Sequence, residues 1–498
     1  MKDKYILAID QSTSATKAIL FGSNGQLVYR YNTVHGQGYP NPGWVEHDPE
    51  EIYGNSINAI LGVLSSTEIQ QHQIHAIAIT NQRETAMVWD KCTGMPVYNA
   101  VVWQCQRGSA ICSKLQEDGY AELVQEKTGL VLSPYFSASK IKWILDNVEG
   151  AREKAKKGHL LCGTMDSWLL WKLTGGKVHA TDYSNASRTQ LFNIKEKKWD
   201  DELLRIFTIP KSMLPEVKYS DEIFGYTEIN NFFNMEIPIT GIMGDSHAAL
   251  FGQNCFEKGM AKTTYGTGSS IMMNIGKSPL QSKKGIVTSI AWGMNKNVEY
   301  VFEGNVNCTG ATIKWLAEDL ELIPDPKVSG EIAASVEDNE GVYLVPAFVG
   351  LSAPYWDSYA RATITGITRG TKKAHIVRAA EESIAYQIKD VLTLMVEEAG
   401  IELKELRVDG GPTRDGFLMQ FQADMLNVPV VRNKIEELSA IGSAYMAGLA
   451  TGYWKDLEEI SSLRRIEKTF NNHMDFERRG KLYAGWKTAI NRTLTPNT

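Results

Sequence analysis

The chain of 498 residues is 43% hydrophobic and 22% charged, with a formal net charge of −6 at pH 7. That length exceeds one hydrophobic core and predicts at least two domains, and the composition is that of an ordinary globular protein. An isoelectric point near 5.9 excludes the basic footprint of a nucleic-acid binder. Neither a signal-peptide core nor an apolar run of transmembrane length occurs, so a cytoplasmic protein without nucleic-acid or membrane partners is expected.

KYILAID (4–10) reads as a buried strand, QSTSAT turns the chain, and KAILFGSNGQLVYRYNTV (17–34) reads as two strands joined at SNG. Asp48-Pro49 opens a helical period through GWVEHDPEEIYGNSINAILGVLSS (43–66), and HAIAITNQRE (75–84) is a buried strand that ends in polar residues. EIPITGIMG (236–244) predicts another buried strand, followed by the helix DSHAALFG (245–252). The second half starts much as the first does, with strand, Gly/Thr/Ser turn and strand in GMAKTTYGTGSSIMMNIG (259–276). SIAWGM, VEYVFEG and the helical TGATIKWLAEDL (309–320) follow, and YAGWKTAINRTL (483–494) reads as a closing helix. A phosphate-sized turn near the start of each half predicts two related α/β domains, 1–252 and 253–498, with a cleft between them.

The six cysteines, Cys92, Cys105, Cys112, Cys162, Cys255 and Cys308, have no metal-ligand spacing and read as reduced thiols. The common nucleotide motifs fail. Ile271 stands where a P-loop ending in Gly276-Lys277-Ser278 needs its first glycine, and where a fingerprint starting at Gly266-Thr267-Gly268 needs its third. Three turns take their place as a phosphate clamp: DQSTSAT (10–16) with Lys17 close by, YGTGSS (265–270), and VDGGPTRDG (408–416) with Gly410 and Gly411. Each alone also fits a plain hairpin turn.

Asp10, at a strand end beside the first turn, is placed to hold Mg²⁺ through its waters, or else closes an Asx-turn. Asp245 is a candidate base for the proton of an attacking hydroxyl, or else a helix N-cap. Arg83 and Glu84 offer donors and acceptors to vicinal hydroxyls, against the plainer reading of a surface ion pair. Trp103 and Tyr135 offer ring faces to the C–H side of a polyol, against core packing. His247 is expected to be structural, or a partner of Asp245.

NPGWVEHDPEEI, ITNQRET, NAVVWQCQR, YFSASKIKWILDN, DYSNASRTQLFNI, VPAFVGLSAPYWDSYAR and FLMQFQADML together resemble the FGGY carbohydrate kinases, in particular their glycerol kinase branch. YFSASKIKWILDN (135–147) fits the first family signature, and ATITGITRGTKKAHIVRAAEE (362–382) departs from the second where Glu381 replaces an apolar residue. The resemblance implies two actin-like (ribonuclease H-like) domains closing over ATP and a small polyol, and a homo-oligomer, dimer or tetramer. By position it implies a polyol set of Arg83, Glu84, Trp103, Tyr135, Asp245, Ser246 and Ser270, with Asp245 as the base. Ser12, Thr13, Ser14, Lys17, Thr267, Gly310, Lys314, Gly411 and Asp415 fall at nucleotide positions, and Asp10 at the magnesium carboxylate.

Several of these positions depart from the family pattern. Ser12 replaces a glycine, Ser246 a glutamine, Ser270 a phenylalanine, Lys314 a glutamine and Asp415 an asparagine. Ser246 and Ser270 enlarge and polarise one end of the polyol pocket. Glycerol is the expected acceptor, with a four- or five-carbon polyol or ketose as the alternative. An actin-like ATPase or a sugar-binding regulator without transfer activity is the alternative of another class. EINNFFNMEIP (228–238) has neither Arg nor His, so control there by fructose bisphosphate or a phosphohistidine is not expected.

Overall fold

The computed structural model describes residues 4–228, 232–435 and 437–496. Residues 229–231, within the segment EINNFFNMEIP where no regulatory contact is expected, lie outside the described residues.

β1 (Tyr5–Gln11), β2 (Ala15–Phe21) and β3 (Leu27–Val34) form an antiparallel meander. β4 (Ile74–Asn81) pairs parallel to β1, and β6 (Pro238–Gly244) parallel to β4, with β5 (Gly225–Tyr226) on the outer edge. The Ile/Ala-rich β1 and β4 are buried almost throughout, while β3, with Tyr, Arg and Asn, is the solvated edge.

The second sheet contains β7 (Met260–Tyr265), β8 (Ser269–Gly276), β9 (Val287–Met294), β10 (Asn297–Val306), β11 (Glu405–Asp409), β12 (Val430–Asn433) and β13 (Ile466–Phe470), in the order β9-β10-β8-β7-β11-β12-β13. The run β10-β8-β7-β11-β12 repeats the senses of β3-β2-β1-β4-β6: antiparallel twice, then parallel twice. The tandem arrangement expected from the two turns is present as this duplicated topology, the actin-like (ribonuclease H-like) architecture.

Six helices matter for the site. α1 (Pro49–Ser65) covers β2 and β3, and Asp48 caps it by accepting from the amides of Glu50 and Glu51. α2 (Asp245–Gly252) follows β6 directly. α3 (Gly310–Glu318), α4 (Lys373–Ala399), α5 (Gly416–Leu426) and α6 (Leu438–Ala450) belong to the second half. α6 nevertheless packs on β1, β4 and β6 of the first sheet and crosses α2 at backbone distance. A Cβ at Gly442 would run into the Ala248 carbonyl, and one at Gly252 into that of Leu438. Met243, Leu250, Phe251, Met272, Trp292 and Tyr445 form one apolar core linking the two sheets. Among the described residues, no helix is long and apolar enough to cross a membrane.

Candidate active site

The neighbouring parallel strands β1, β4 and β6 deliver their carboxyl ends to one place, the usual working edge of an α/β sheet. β1 ends in the turn Ser12–Ser14, β4 runs into Arg83 and Glu84, and β6 gives way to Asp245. Glu84 has φ 63°, a left-handed conformation uncommon for a non-glycine residue, and points into the site.

The N-cap position of α2 is taken by Gly244, and no side chain caps it among the described residues. Asp245 is therefore the first helical residue rather than the cap. Its carboxylate accepts from the Ser246 amide at 2.6 Å and lies 3.1 Å from Arg83 Nε, with 36% of the side chain still accessible. The guanidinium and the helix N-terminus set positive charge beside this carboxylate.

Arg83 spends its other two nitrogens on Glu303 of β10, in a bidentate pair at 2.8 Å and 2.8 Å. Arg188 lies 2.8 Å from the same glutamate and donates to Glu84 at 2.5 Å. Burial opposes the Glu303 carboxylate, but Arg188 and Arg83 outweigh it and hold the group well below the ordinary range. Arg83 is likewise disfavoured by burial, yet Glu303, Glu84 and Asp245 raise it. Burial pushes the Glu84 carboxyl up, with Arg188 and Arg83 opposing. The result is a fixed Asp245–Arg83–Glu303–Arg188–Glu84 chain spanning both sheets.

This chain floors a cavity of about 480 Å³ lined by Thr13, Arg83, Glu84, Trp103, Tyr135, Asp245 and Ser246 on one side, and by Gly266, Gly268, Ser270 and Asn305 on the other. All seven predicted polyol residues meet there. Trp103 and Tyr135 make an edge contact, centroids 5.4 Å apart, and the indole N–H donates to Thr13 Oγ1 at 3.0 Å. Burial raises the Tyr135 phenol well above its usual range, so its O–H stays a donor. The Ser270 hydroxyl has no hydrogen-bond partner among the described residues. His247 donates to or accepts from Ser289 at 3.0 Å, and burial and Arg83 keep it neutral.

The first phosphate-sized turn closes on itself. The Ser12 amide and hydroxyl both donate to the Ala15 carbonyl, at 2.9 Å and 2.8 Å, and Ser14 is exposed beside it. Lys17 reaches Glu437 at 2.8 Å, with Asp10 3.9 Å away. In the second turn, Gly266 accepts from the Gly310 amide at 2.9 Å and the Thr267 carbonyl from Thr309 at 2.9 Å, docking the start of α3 onto the turn. Gly410 has φ 98°, and a Cβ there would strike the Tyr265 carbonyl, so the third turn needs glycine.

A second cavity of about 540 Å³ opens beyond these turns, lined by Gly310, Ile313, Ile384, Gly411, Asp415 and Leu418 among others. Asp415 caps α5, accepting from Phe417 and Leu418 at 2.8 Å and 3.0 Å. Lys314 is exposed, 3.4 Å from Glu318, and is not among the lining residues of either cavity.

Asp10 is 7% exposed. Burial lifts its carboxyl to about 7, Lys17 pulls the other way, and the like charges of Glu437 and Asp245 add to the rise. An acid so crowded by acids gains from a cation. Among the described residues, no group of three or more His, Cys, Asp or Glu could hold a metal by itself.

Residues 5–252 match the N-terminal domain, and residues 261–451 the C-terminal domain, of the FGGY family of carbohydrate kinases. The chain belongs to this family. Curated relatives include a glycerol kinase of Bacillus cytotoxicus, 53% identical with 99% of each chain covered, and glycerol kinase 2 of Thermotoga maritima, 54% identical with the same coverage. Among solved structures, Plasmodium falciparum glycerol kinase with ADP superposes with a TM-score of 0.95 at 37% identity over 99% of each chain. A ligand-bound xylulose kinase of Lactobacillus acidophilus, 22% identical with 98% of each chain covered, shares the fold at 0.87.

Two residues of this candidate site, Glu303 and Arg188, are not singled out by the sequence analysis. Glu303 carries a signal, a carboxylate inside the buried and otherwise uncharged stretch YVFEG of β10. Arg188 lies within DYSNASRTQLFNI and carries no periodic signal of its own.

Proposed function

We propose that this carbohydrate kinase transfers the γ-phosphoryl group of ATP to a terminal hydroxyl of glycerol. The observation that carries the reading is the half-open Asp245 carboxylate, pinned by Arg83 inside a cavity walled by Trp103 and Tyr135 and bounded by phosphate-sized turns. The names of the full-length relatives support glycerol as acceptor. Arg83 and Glu84 bind the vicinal hydroxyls, and Trp103 and Tyr135 wall the carbon chain. Asp245 takes the proton of the attacking hydroxyl as its oxygen bonds to the γ-phosphorus and ADP departs.

The amides of Thr13 and Ser14 in the first turn, and of Thr267 and Gly268 in the second, serve the phosphates, and Gly310, Gly411 and Asp415 border the nucleoside. Asp10 would hold Mg²⁺, whose charge offsets that of the phosphates. Gly252 is the proposed division between the domains, the enzyme cytoplasmic, and the assembly a dimer or tetramer.

One observation favours a second reading. The unpartnered Ser270 hydroxyl could satisfy a further hydroxyl of a four- or five-carbon polyol or ketose. ADP release measured with glycerol, erythritol, ribitol and xylulose, and with no acceptor, tests both. Highest kcat/KM with glycerol is expected. A longer acceptor winning selects the second reading, and acceptor-independent release overturns both.

A further inference from the structure

The cavity between α3, α4 and α5 holds a side chain that phosphoryl transfer leaves unused. Glu381 of α4 forms part of its wall with Gly310, Ile313, Ile384, Gly411 and Leu418. It is 2% exposed, and its Oε2 has no hydrogen-bond partner among the described residues. The next residue shows how a buried acid is satisfied in this helix. Glu382 accepts from Arg378 at 2.8 Å and from Asn339 at 2.9 Å. A buried carboxyl oxygen with nothing to bond is costly, and at a cavity wall a ligand can supply the missing partner.

We infer that Glu381 reads the nucleobase, its carboxyl group hydrogen-bonding the 6-amino edge of adenine. This rests on the ATP-dependent reading proposed above. The space suits a purine, because Ile313, Ile384, Leu418 and Pro326 supply apolar walls in about 540 Å³. Its glycine side is continuous with the phosphate turns, since the Gly310 amide bonds the Gly266 carbonyl at 2.9 Å.

Protonation sets what this group can offer the base. Burial, reinforced by the charge of Asp415 and opposed by the Ser329 hydroxyl, lifts the Glu381 carboxyl to about 8. At neutral pH the group is therefore mainly the neutral acid, with one O–H donor and one carbonyl acceptor. Adenine offers the matching pair, an amino donor beside a ring-nitrogen acceptor. Guanine places a carbonyl acceptor and a ring N–H at those two positions, so the acid would have to exchange the roles of its two oxygens to pair it.

The test compares glycerol phosphorylation driven by ATP and by purine riboside triphosphate, which lacks the 6-amino group, in wild type, Glu381→Leu and Glu381→Gln. Calorimetric titration with ADP accompanies it. Wild type should prefer ATP over the purine riboside triphosphate by about tenfold in kcat/KM. Glu381→Leu should bring that ratio near one, mainly through the nucleotide KM. Glu381→Gln, which keeps a donor and an acceptor, should retain it. A wild-type ratio near one, or an unchanged ratio in a folded Glu381→Leu, overturns the inference whatever happens to Tm. Wild type that binds no ADP, or turns over no polyol, strikes the functional proposal instead.

Discussion

Arg83 sets the chemistry of the polyol cavity one residue at a time. One nitrogen faces Asp245 and two face Glu303, so the proposed base is held by a group that is itself held. Asp245→Asn keeps the shape and removes the proton acceptor. Its kcat should fall by ~10²–10⁴-fold while glycerol still binds by calorimetry and Tm moves little. Glu303→Gln acts through a different route. It leaves two buried guanidinium groups short of a carboxylate, a loss of about 3–5 kcal/mol in comparable buried pairs. Chemical denaturation should show that loss, and glycerol KM should rise because Arg83 is released. Unchanged stability would mean that the ion pair is solvated. Ser270→Phe tests the pocket end: it should narrow an acceptor panel toward glycerol, read as the glycerol-to-erythritol ratio of kcat/KM.

The strands and turns were legible because their signals are local. Apolar runs such as YILAID and HAIAIT end in polar residues, and those ends are where the site residues gather. Lys17 was less legible, because its partner Glu437 lies at the start of α6, far away in sequence. The crossing of α6 onto the first sheet was hidden for the same reason, since its small-residue pattern looks like that of any buried helix. Whether Asp245 capped its helix could not be decided from order alone, because a cap and a first-turn residue differ by one position.

α4 adds a prediction about stability. With Asp415 beside it, and Lys327 and Arg414 also lining the cavity, Glu381 titrates near 8 in the folded chain and near 4.5 when unfolded. The folded state then binds more protons between those values, so stability falls as pH rises from about 4.5 to 8 and levels off above. The contribution of this group is on the order of 5 kcal/mol at most. Denaturation midpoints of wild type and Glu381→Leu should diverge steadily over that range, the variant being the more stable at pH 8. Parallel curves would show that Glu381 is already ionised when folded.

Across the whole molecule the proposed reading divides the two substrates between the halves. Arg83, Glu84, Trp103, Tyr135 and Asp245 come from the first half, whereas the second cavity is built entirely from residues of the second. The turns at Thr13 and Gly266 face each other across the same opening, which is still wide enough to leave about 480 Å³. The shared core around Met243 and Trp292 and the Glu303 ion pairs tie the halves together at its floor, so movement is expected at the open end. Phosphates bound to both turns would draw that end closed and exclude the water that competes with the acceptor hydroxyl. Small-angle scattering should therefore show a smaller radius of gyration with glycerol and a non-hydrolysable ATP analogue together than with either alone. Glycerol alone should change little, because its contacts lie mainly on one half. An unchanged radius with both ligands at saturation would place the cleft already closed, and the phosphates would then have to reach Asp245 without any movement of the halves.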